Sequence, residues 1–418
     1  MRTSWAVVVV GVLALTACGS PQAEPRAELV VGEGEYVPVA LADASAVGDV
    51  VAASWELGFR ALRAGGDDEA GGVVVSPSSL VSALAMVAEG AVDGESAPFD
   101  AALGASGDDR TDAVSALLAA LARHEGDPAT VQADELPATP VLHTAQRVVL
   151  DDDSVPRQEY LDRLVRGYDA GVAVADLGSD ALHDALDPWV KEHSGGLVPR
   201  SALEPDPDMR AALQDAVVLA ARWQQPFLEM ETADLPFVTA SGEQVDVPTM
   251  GADLAVAVVR RDGWTAVRLP YAEDLAADLL LPPAGAGSPA EADPAVVAAL
   301  GVALDGQAPS SVHVEVPTLD LRTTTDLMPV LSDLGITAAD LTGLVDRGVR
   351  VGQAVQQAVL QVDEEGTRAA AVTEVAMLES AGMLPGLDVR FDRPFLFVVR
   401  DGTTGWPVFL ASVTDPSV

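Results

Sequence analysis

Hydrophobic and polar positions follow different periods along the chain, and these periods predict its secondary structure. The stretch Val73–Ala91 begins with three valines, which predict a short buried strand. Ser76-Pro77 breaks that strand, and Ser78 or Ser79 is then expected to cap a helix. The helix carries so few polar residues that it should be buried.

Further helices and strands follow from the same reasoning. Helical spacing covers "LDRLVRGY" at 161–168 and "ALDPWVKEHSGG" at 185–196, the second of which ends in a glycine pair. Strands are predicted for "AVRLPY" at 266–271, "ADLLLPP" at 277–283 and "VHVEVPTLDL" at 312–321. Helices crowd the first half of the chain and strands the second, which predicts an α+β fold with large sheets.

The N-terminus combines one cation, Arg2, with the apolar run "WAVVVVGVLAL". That run is too short to span a bilayer as a mature helix, and it has the length of a signal-peptide core. It leads into "LTAC", which resembles a bacterial lipobox, where the cysteine takes a diacylglyceryl group and the chain is cut just before it. We therefore predict a lipoprotein signal peptide at 1–17 and a lipidated Cys18, because two acyl chains give stable anchoring. An ordinary signal peptide with an incidental cysteine is the alternative.

The residues from Cys18 onward indicate a tether followed by one large domain. Residues 18–46 are rich in Pro, Ala, Gly and Glu without helical or strand period, so we expect a flexible tether. Amphipathic segments then continue over 47–418 without another long linker or an internal repeat. The protein is expected to be exported and lipid-anchored to the outer face of the bacterial cytoplasmic membrane, or secreted.

Composition narrows the classes of partner. Of the 418 residues, 49% are hydrophobic, which is ample for a sizeable core. The formal charge of −40, from 64 acidic and 24 basic residues, argues against nucleic-acid binding, because that affinity comes from clustered cations. Such acidity fits a soluble secreted protein or one adapted to salt.

Few residues offer catalytic or metal chemistry. Cys18 is the single cysteine, so a disulfide framework and a cysteine-rich metal site are excluded. The chain has no Gly-x-Ser-x-Gly elbow, no His-Glu-x-x-His pair and no phosphate-binding glycine-rich loop. The scattered histidines are interpreted as surface or hydrogen-bonded residues: His124, His143, His183, His193 and His313. We predict no catalytic residue, no metal and no cofactor, and expect a protein that is not an enzyme.

The segment Val362–Gly386 is notably poor in large side chains in its first half. As a strand from Thr367 onward it would place its first two charges, Arg368 and Glu374, on one face and only small or apolar groups on the other. As a helix it would be capped by Thr367 and end at Gly382, and intrinsic propensity favours this alternative.

Several motifs resemble those of the serpin family. "EEGTRAAAVT" at 364–373 is similar to the hinge of a serpin reactive-centre loop, in which Glu, Gly and Thr precede small residues. The stretch at 73–91, "WQQPF" at 223–227 and the C-terminal "FDRPFLFVVRDGTTGWPVFLASVTDP" match other family motifs in serpin order. The resemblance covers about Val47 to Pro416. It implies the serpin fold, with three β-sheets, about eight or nine helices and an exposed reactive-centre loop at about 364–390.

The resemblance also implies an activity and a partner. A target serine protease attacks the exposed loop and forms a covalent acyl-enzyme, after which the cut loop inserts into the central sheet and distorts the protease. One inhibitor, acting as a monomer, is consumed per protease. The hinge must be flexible and free of proline, because proline cannot donate to a sheet ladder. The implied hinge residues are Glu364, Glu365, Gly366, Thr367, Ala369, Ala370 and Ala371.

Two positions are candidates for the scissile bond. The family spacing from Gly366 gives Ser380–Ala381, whereas counting back from Phe391 gives Met383–Leu384. A small or medium apolar residue at either place indicates an elastase-like, subtilisin-like or chymotrypsin-like serine protease, since trypsin-like proteases need Arg or Lys.

In serpins a group of residues, here called the gate, helps to hold the central sheet shut. This sequence differs from the family pattern at two gate positions. The asparagine usual in the third central strand is Asp215 here, and the histidine usual in the fifth strand is Gln356. An Asp opposite a Gln can still form a hydrogen bond. Ser76 and Ser79 keep the family pattern, and Trp223 matches the tryptophan at the top of the sheet.

Two other classes fit part of the sequence. A non-inhibitory serpin, acting as a cell-surface binding or scaffold protein, would share the fold, but such members commonly have bulky or charged hinge residues. A substrate-binding lipoprotein of a transporter fits the anchor and none of the serpin motifs.

Overall fold

The computed structural model describes residues 27–66, 71–92, 94–346, 349–367 and 386–418. Eight α-helices lie in these residues: α1 (Val47–Ala64), α2 (Pro77–Ala88), α3 (Ala97–Leu103), α4 (Gly107–Leu121), α5 (Gln158–Tyr168), α6 (Ala181–His193), α7 (Pro294–Asp305) and α8 (Met328–Asp333). Six of the eight precede residue 200, and α5 and α6 contain the two further helices that the sequence predicts.

The described residues also form sixteen strands. They are β1 (Glu28–Val30), β2 (Gly72–Val75), β3 (Val141–Asp151), β4 (Val172–Ala175), β5 (Ala211–Arg222), β6 (Ala233–Val238), β7 (Gln244–Arg261), β8 (Trp264–Pro270), β9 (Leu275–Leu281), β10 (Ser310–Pro317), β11 (Leu319–Asp326), β12 (Gln353–Val362), β13 (Gly366–Thr367), β14 (Leu387–Arg390), β15 (Phe395–Asp401) and β16 (Pro407–Val413). Most of them lie in the second half of the chain, so the predicted α+β class is confirmed.

Seven strands form the central sheet, in the order β1-β4-β3-β5-β13-β12-β11. β3 is antiparallel to β5 and parallel to β4, and β12 is antiparallel to β11. Helices α2 and α6 pack on opposite faces of this sheet, so β5 is buried along nearly its whole length.

Helix α2 is buried on all sides, as its sequence predicts. Its N-cap is Ser76, whose Oγ accepts a hydrogen bond from the backbone N–H of Ser79 at 3.3 Å. Pro77 occupies the first helical position, where its missing N–H costs nothing. The prediction of Ser78 or Ser79 as the cap is therefore wrong, because the same Ser-Pro pair that ends β2 also begins the helix.

Nine strands form a second network, which consists of two sheets that share the long strand β7. Thr249–Val256 of β7 pairs with β10, whereas Ala257–Arg261 pairs with β8. One sheet contains β6, β7, β10 and β14, and the other continues in the order β7-β8-β9-β15-β16-β2. With the central sheet, these make the three sheets expected from the sequence. The alternating residues Val312, Val314 and Val316 of β10 are all buried.

The main core lies where β15 and β16 meet helices α1 and α2. Every residue of the two strands is buried. Between them along the chain, Trp406 is fully enclosed, and its Nε1–H donates to Ser54 Oγ of α1 at 2.8 Å. The polar edge of this buried ring is thus satisfied, as a buried indole requires.

The segment before α1 differs from the expected flexible tether. β1 pairs antiparallel with β4 and lies at the edge of the central sheet. The backbone N–H of Glu33 donates to Asp162 Oδ1 at 2.7 Å, and a Cβ added to Gly32 would lie 2.3 Å from the carbonyl carbon of Leu161. The chain therefore packs closely on α5 here. A strand of three residues is too short to give a recognisable period, which is why the sequence does not reveal it.

Among the described helices, none is both long and apolar enough to cross a membrane.

Candidate functional site

The central sheet contains a slot between β5 and β12. In the described residues these parallel strands pair directly at one end, where Gln353 and Ala354 lie opposite Ala212 and Leu213. At the other end β13 lies between them and is antiparallel to both. We call the gap between these two points the slot; it is bounded by Asp215–Ala220 of β5 and Gln356–Gln361 of β12.

Two small cavities mark the slot. One is lined by Asp215–Val218 of β5 and Gln357 of β12, together with residues at the end of α6. The other is lined by Val218, Leu219 and Val359–Gln361, and it reaches Thr367. Among the described residues, β5 and β12 form no direct strand pairing along the slot, and β13 enters at its other end.

A tight turn carries the chain from β12 back into β13. Asp363 accepts hydrogen bonds at Oδ1 from the backbone N–H groups of Glu365 (2.9 Å) and Gly366 (3.0 Å). The N–H of Asp363 donates to the carbonyl of Gly366 at 3.0 Å. Asp363 is not among the residues predicted from the sequence, although an aspartate shortly before a glycine is a known turn signal.

Trp223 anchors this turn at the top of the sheet. Its Nε1–H donates to the carbonyl of Asp363 at 3.0 Å, and its backbone N–H donates to the carbonyl of Glu365 at 2.8 Å. The indole stacks on Tyr271 with ring centroids 4.5 Å apart. Such a pair of buried rings adds to the energy of burial alone.

Glu364 is held by the chain that follows Trp223. Its carbonyl accepts from the N–H of Phe227 at 2.9 Å, and its Oε1 accepts from the hydroxyl of Thr232 at 2.5 Å. Both glutamates of the predicted hinge are therefore held by contacts at the end of the sheet where Trp223 lies.

Gly366 and Thr367 already occupy the mouth of the slot. A Cβ added to Gly366 would lie 2.0 Å from the carbonyl oxygen of Ala221, so only glycine fits here without displacing the strand. Thr367 is 2% exposed, and its hydroxyl shares a hydrogen bond with the hydroxyl of Tyr271. Burial raises the pKa of Tyr271 far above its ordinary value, so that hydroxyl keeps its proton. Nothing in the sequence marks Tyr271 as a partner of the hinge.

Three of the predicted gate residues meet inside the slot. Gln356 Nε2 donates to Asp215 Oδ2 at 3.1 Å and to the carbonyl of Ser76 at 3.0 Å. Gln356 Oε1 accepts from the N–H of Ser76 at 2.8 Å. One amide thereby links β12 to β5 and to the start of α2. Ser79 lies one turn along α2, and its hydroxyl has no hydrogen-bond partner among the described residues.

Burial gives Asp215 a titration in the physiological range. It raises the pKa of this carboxyl from 3.8 to about 7, and the hydrogen bond from Gln356 offsets only part of that rise. In the unfolded chain the carboxyl ionises near pH 3.8, so between about pH 4 and 7 the folded state keeps a proton that the unfolded state has lost. The stability contributed by this group is therefore complete below about pH 4 and is lost as the pH rises through 7.

We expect Asp215→Asn to remove this pH dependence. The amide keeps the size and the hydrogen-bonding capacity of the side chain but does not titrate. Between about pH 4 and 8, the free energy of unfolding of the variant should gain about 2–4 kcal/mol relative to the wild type. Urea denaturation across that range measures the difference, with Asp234→Asn at an exposed position of β6 as control. Parallel pH profiles for Asp215→Asn and the wild type would contradict the assignment.

Helix α6 and the turn after it cover one face of the slot. Val190 of α6 and Ser194, Leu197 and Val198 of the turn line the same cavity as Asp215. The Oγ of Ser194 accepts from the N–H of Val198 at 3.0 Å, which closes this turn. A strand inserted into the slot would contact these residues, so α6 would have to adjust to admit it.

The structure thus brings the predicted residues together in two groups. Glu364, Glu365, Gly366 and Thr367 lie with Trp223 at the mouth of the slot, and Ser76, Asp215 and Gln356 lie within it. The other predicted positions fall outside the described residues: Cys18, Ala369, Ala370, Ala371 and the two candidate bonds Ser380–Ala381 and Met383–Leu384. In the part of the chain that is described, no group of three or more His, Cys, Asp or Glu side chains is placed to hold a metal ion.

Comparison with known proteins gives one consistent match. The family model described as Serpin (serine protease inhibitor) matches residues 52–416. Iris of Ixodes ricinus is 26% identical over 374 residues, which cover 85% of this chain and 96% of Iris.

Solved structures share the fold. Tengpin, a thermophilic serpin in the native state, superposes with a TM-score of 0.78 at 21% identity and covers 93% of this chain and 100% of its own. Human thyroxine-binding globulin, solved with thyroxine, gives a TM-score of 0.74 at 20% identity, covering 90% of this chain and 100% of its own.

Proposed function

Because the chain belongs to the serpin family, whose model spans residues 52–416, we propose that it is a suicide-substrate inhibitor of serine proteases. The proposal takes the target to be elastase-like, subtilisin-like or chymotrypsin-like. One observation supports it: β13, near the start of the predicted reactive-centre loop, lies at the mouth of a slot in the central sheet.

Strand addition explains how this geometry would serve inhibition. The edges of β5 and β12 along the slot can each pair with an inserted strand, so insertion would form hydrogen bonds on both sides. β13 already has the required direction, antiparallel to both neighbours. The next residues in the sequence, Arg368 to Val372, contain no proline and only one large side chain, which suits them to continue β13.

In the proposed reaction the protease serine attacks the carbonyl of the scissile residue and the peptide bond breaks, leaving an ester between enzyme and inhibitor. The new amino terminus departs with the following residue. Loop insertion then competes with hydrolysis of that ester by water. The outcome depends on the hinge and the gate, because both control how fast β13 can extend into the slot.

The central experiment mixes the purified protein with pancreatic elastase or with subtilisin. A band that withstands boiling in denaturant and has the summed mass of both proteins is expected. Protease whose active serine has been blocked beforehand should give no such band. Chymotrypsin is tested in the same way. If all three proteases cleave the loop completely and none forms a complex, the result would contradict inhibition of these protease classes. Mass spectrometry of the released peptide decides between Ser380–Ala381 and Met383–Leu384.

A non-inhibitory role is the second candidate. The observation that supports it is the likeness to thyroxine-binding globulin, which shares the fold and whose structure contains thyroxine. A folded protein that is cut by all three proteases and forms a complex with none would favour a cell-surface binding or scaffold function.

Location is a separate proposal, supported by "LTAC" at the end of the apolar N-terminal run. We expect Cys18→Ala to release the protein from the membrane fraction, because the acyl chains would be absent. Fractionation of cells that express each form, with Ser20→Ala as control, measures the release. Retention of Cys18→Ala in membranes washed without detergent would contradict the lipid anchor.

A further inference from the structure

A larger cavity, of about 500 Å³, lies between α6 and the edge of β3. β4 pairs with Val148–Asp151 of β3, and the preceding residues His143–Arg147 line the cavity beyond that pairing. Helices α2 and α4 and the chain after α5 supply the other walls. Its volume is in the range of natural small-molecule sites.

Arg147 is the charged group inside this cavity. The residue is 9% exposed, and its Nε and Nη2 both donate to Gln214 Oε1, at 2.8 and 2.6 Å. Its guanidinium carbon lies 4.5 Å from the ring centroid of Trp189 on α6. Among the described residues it forms no salt bridge, whereas the other deeply buried arginines, Arg110 and Arg400, each contact carboxylates.

A buried cation without an anion is costly, and a fixed dipole such as that of Gln214 compensates it only in part. Burial accordingly lowers the pKa of Arg147 to about 9. An anionic ligand would restore the missing countercharge, and a carboxylate suits the planar guanidinium best because the two can form parallel hydrogen bonds.

Other lining groups indicate what would accompany the anion. Gln146 also lines the cavity, but as the neighbour of Arg147 in β3 its side chain faces the other side of the sheet. His143 Nε2 and His193 Nδ1 lie 2.9 Å apart at the same cavity. Met86 and Leu118 provide an apolar wall.

The acidic groups near the cavity limit the size and charge of a ligand. Asp169 and Glu192 line it from exposed positions, and Glu125 binds His143 Nδ1 from outside. Solvent screens exposed carboxylates, so one anionic group that reaches Arg147 is tolerated. A polyanion would meet repulsion from all three.

We propose that this cavity is a binding site for a small organic acid, with its carboxylate on Arg147 and an apolar ring or chain against Trp189. The cavity lies outside the slot, and the proposal does not rest on the proposed protease inhibition. Because the ligand would contact β3 and α6 together, it would also hold α6 on the sheet.

The first test uses 2-naphthoate and its neutral analogue 2-naphthamide with the full folded domain. Isothermal titration calorimetry should show that the acid binds at least about tenfold more tightly than the amide, the difference expected from one buried ionic hydrogen-bonded pair. Saturating acid should also raise the melting temperature, since it binds the folded state. Equal affinity for acid and amide, or no binding of the acid, would overturn the proposal without any variant.

The second test uses Arg147→Gln, with Arg157→Gln at an exposed position as control. The Arg147 variant should lose the preference for the acid while its affinity for the amide stays within about twofold, and the control should bind like the wild type. Arg147→Lys should keep part of the preference. If Arg147→Gln does not fold, the comparison of acid with amide and the Arg147→Lys variant still test the proposal. If Arg147→Gln folds and binds the acid as tightly as the wild type does, the proposal is overturned.

Discussion

Replacing Thr367 with arginine is expected to turn the protein from an inhibitor into a substrate of its target protease. Thr367 is 2% exposed, and its hydroxyl bonds to that of Tyr271 inside the central sheet. An arginine here would bury a cation against a neutral tyrosine, at a cost of several kcal/mol. The hinge would leave the sheet and insertion would slow, so the acyl-enzyme would have time to hydrolyse.

The measurement is the number of moles of protein consumed per mole of protease inhibited. It should rise at least about tenfold for Thr367→Arg, because 1.4 kcal/mol in a barrier changes a rate tenfold. Thr367→Ser, which keeps a small side chain and a hydroxyl, should resemble the wild type, and so should Arg368→Lys. Equal values for the wild type and Thr367→Arg would show that β13 takes no part in the proposed inhibitory mechanism.

Cutting the loop with a protease that is not inhibited is expected to raise the melting temperature by more than about 10 °C. The cut chain can extend β13 along the slot and form hydrogen bonds with both β5 and β12, each contributing about 1 kcal/mol. Calorimetry before and after cleavage between Ala376 and Leu384 measures the change. The expected rise in melting temperature is the added free energy of unfolding divided by the entropy of unfolding.

The cut form of Thr367→Arg is the control for this result. It carries the same broken bond, but its hinge resists burial, so its melting temperature should stay near that of the uncut variant. An unchanged melt for the cut wild type would contradict insertion even if inhibition were observed. A rise of equal size in both proteins would show that relief of loop strain, rather than a new strand, is responsible.

The sequence predicts the elements with strong periodicity and little else about the slot. The apolar residues of α2 and the alternating valines of β10 are buried as expected, because their environment is the same along the whole element. The strand alternative for the predicted hinge is correct at its first residue, because Gly366 and Thr367 form β13. Helix propensity alone argues against a strand here. The pairing of Gly366 and Thr367 with β5, which holds the chain extended there, is a tertiary contact.

Contacts between residues that are far apart in the chain cannot be predicted from local sequence patterns. Tyr271 meets Thr367 across 96 positions, and Ser76 meets Gln356 across 280, so no local pattern connects them. Arg147 looks in the sequence like any surface arginine, and only the packing of α6 makes it a buried cation. Asp363 is different, since its place before a glycine is a local signal that can be recognised.

The docking of β1 on β4 would limit how far a lipid-anchored domain could stand from a membrane. If Cys18 carries the lipid, a tether that ran free to residue 46 would span up to about 90 Å when extended. Because Ala27 to Val30 are already held at the edge of the central sheet, nine residue steps remain, which reach about 30 Å. A lipid anchor of that reach would keep this edge of the central sheet within about 30 Å of the membrane, so a target protease would have to be captured close to the cell surface.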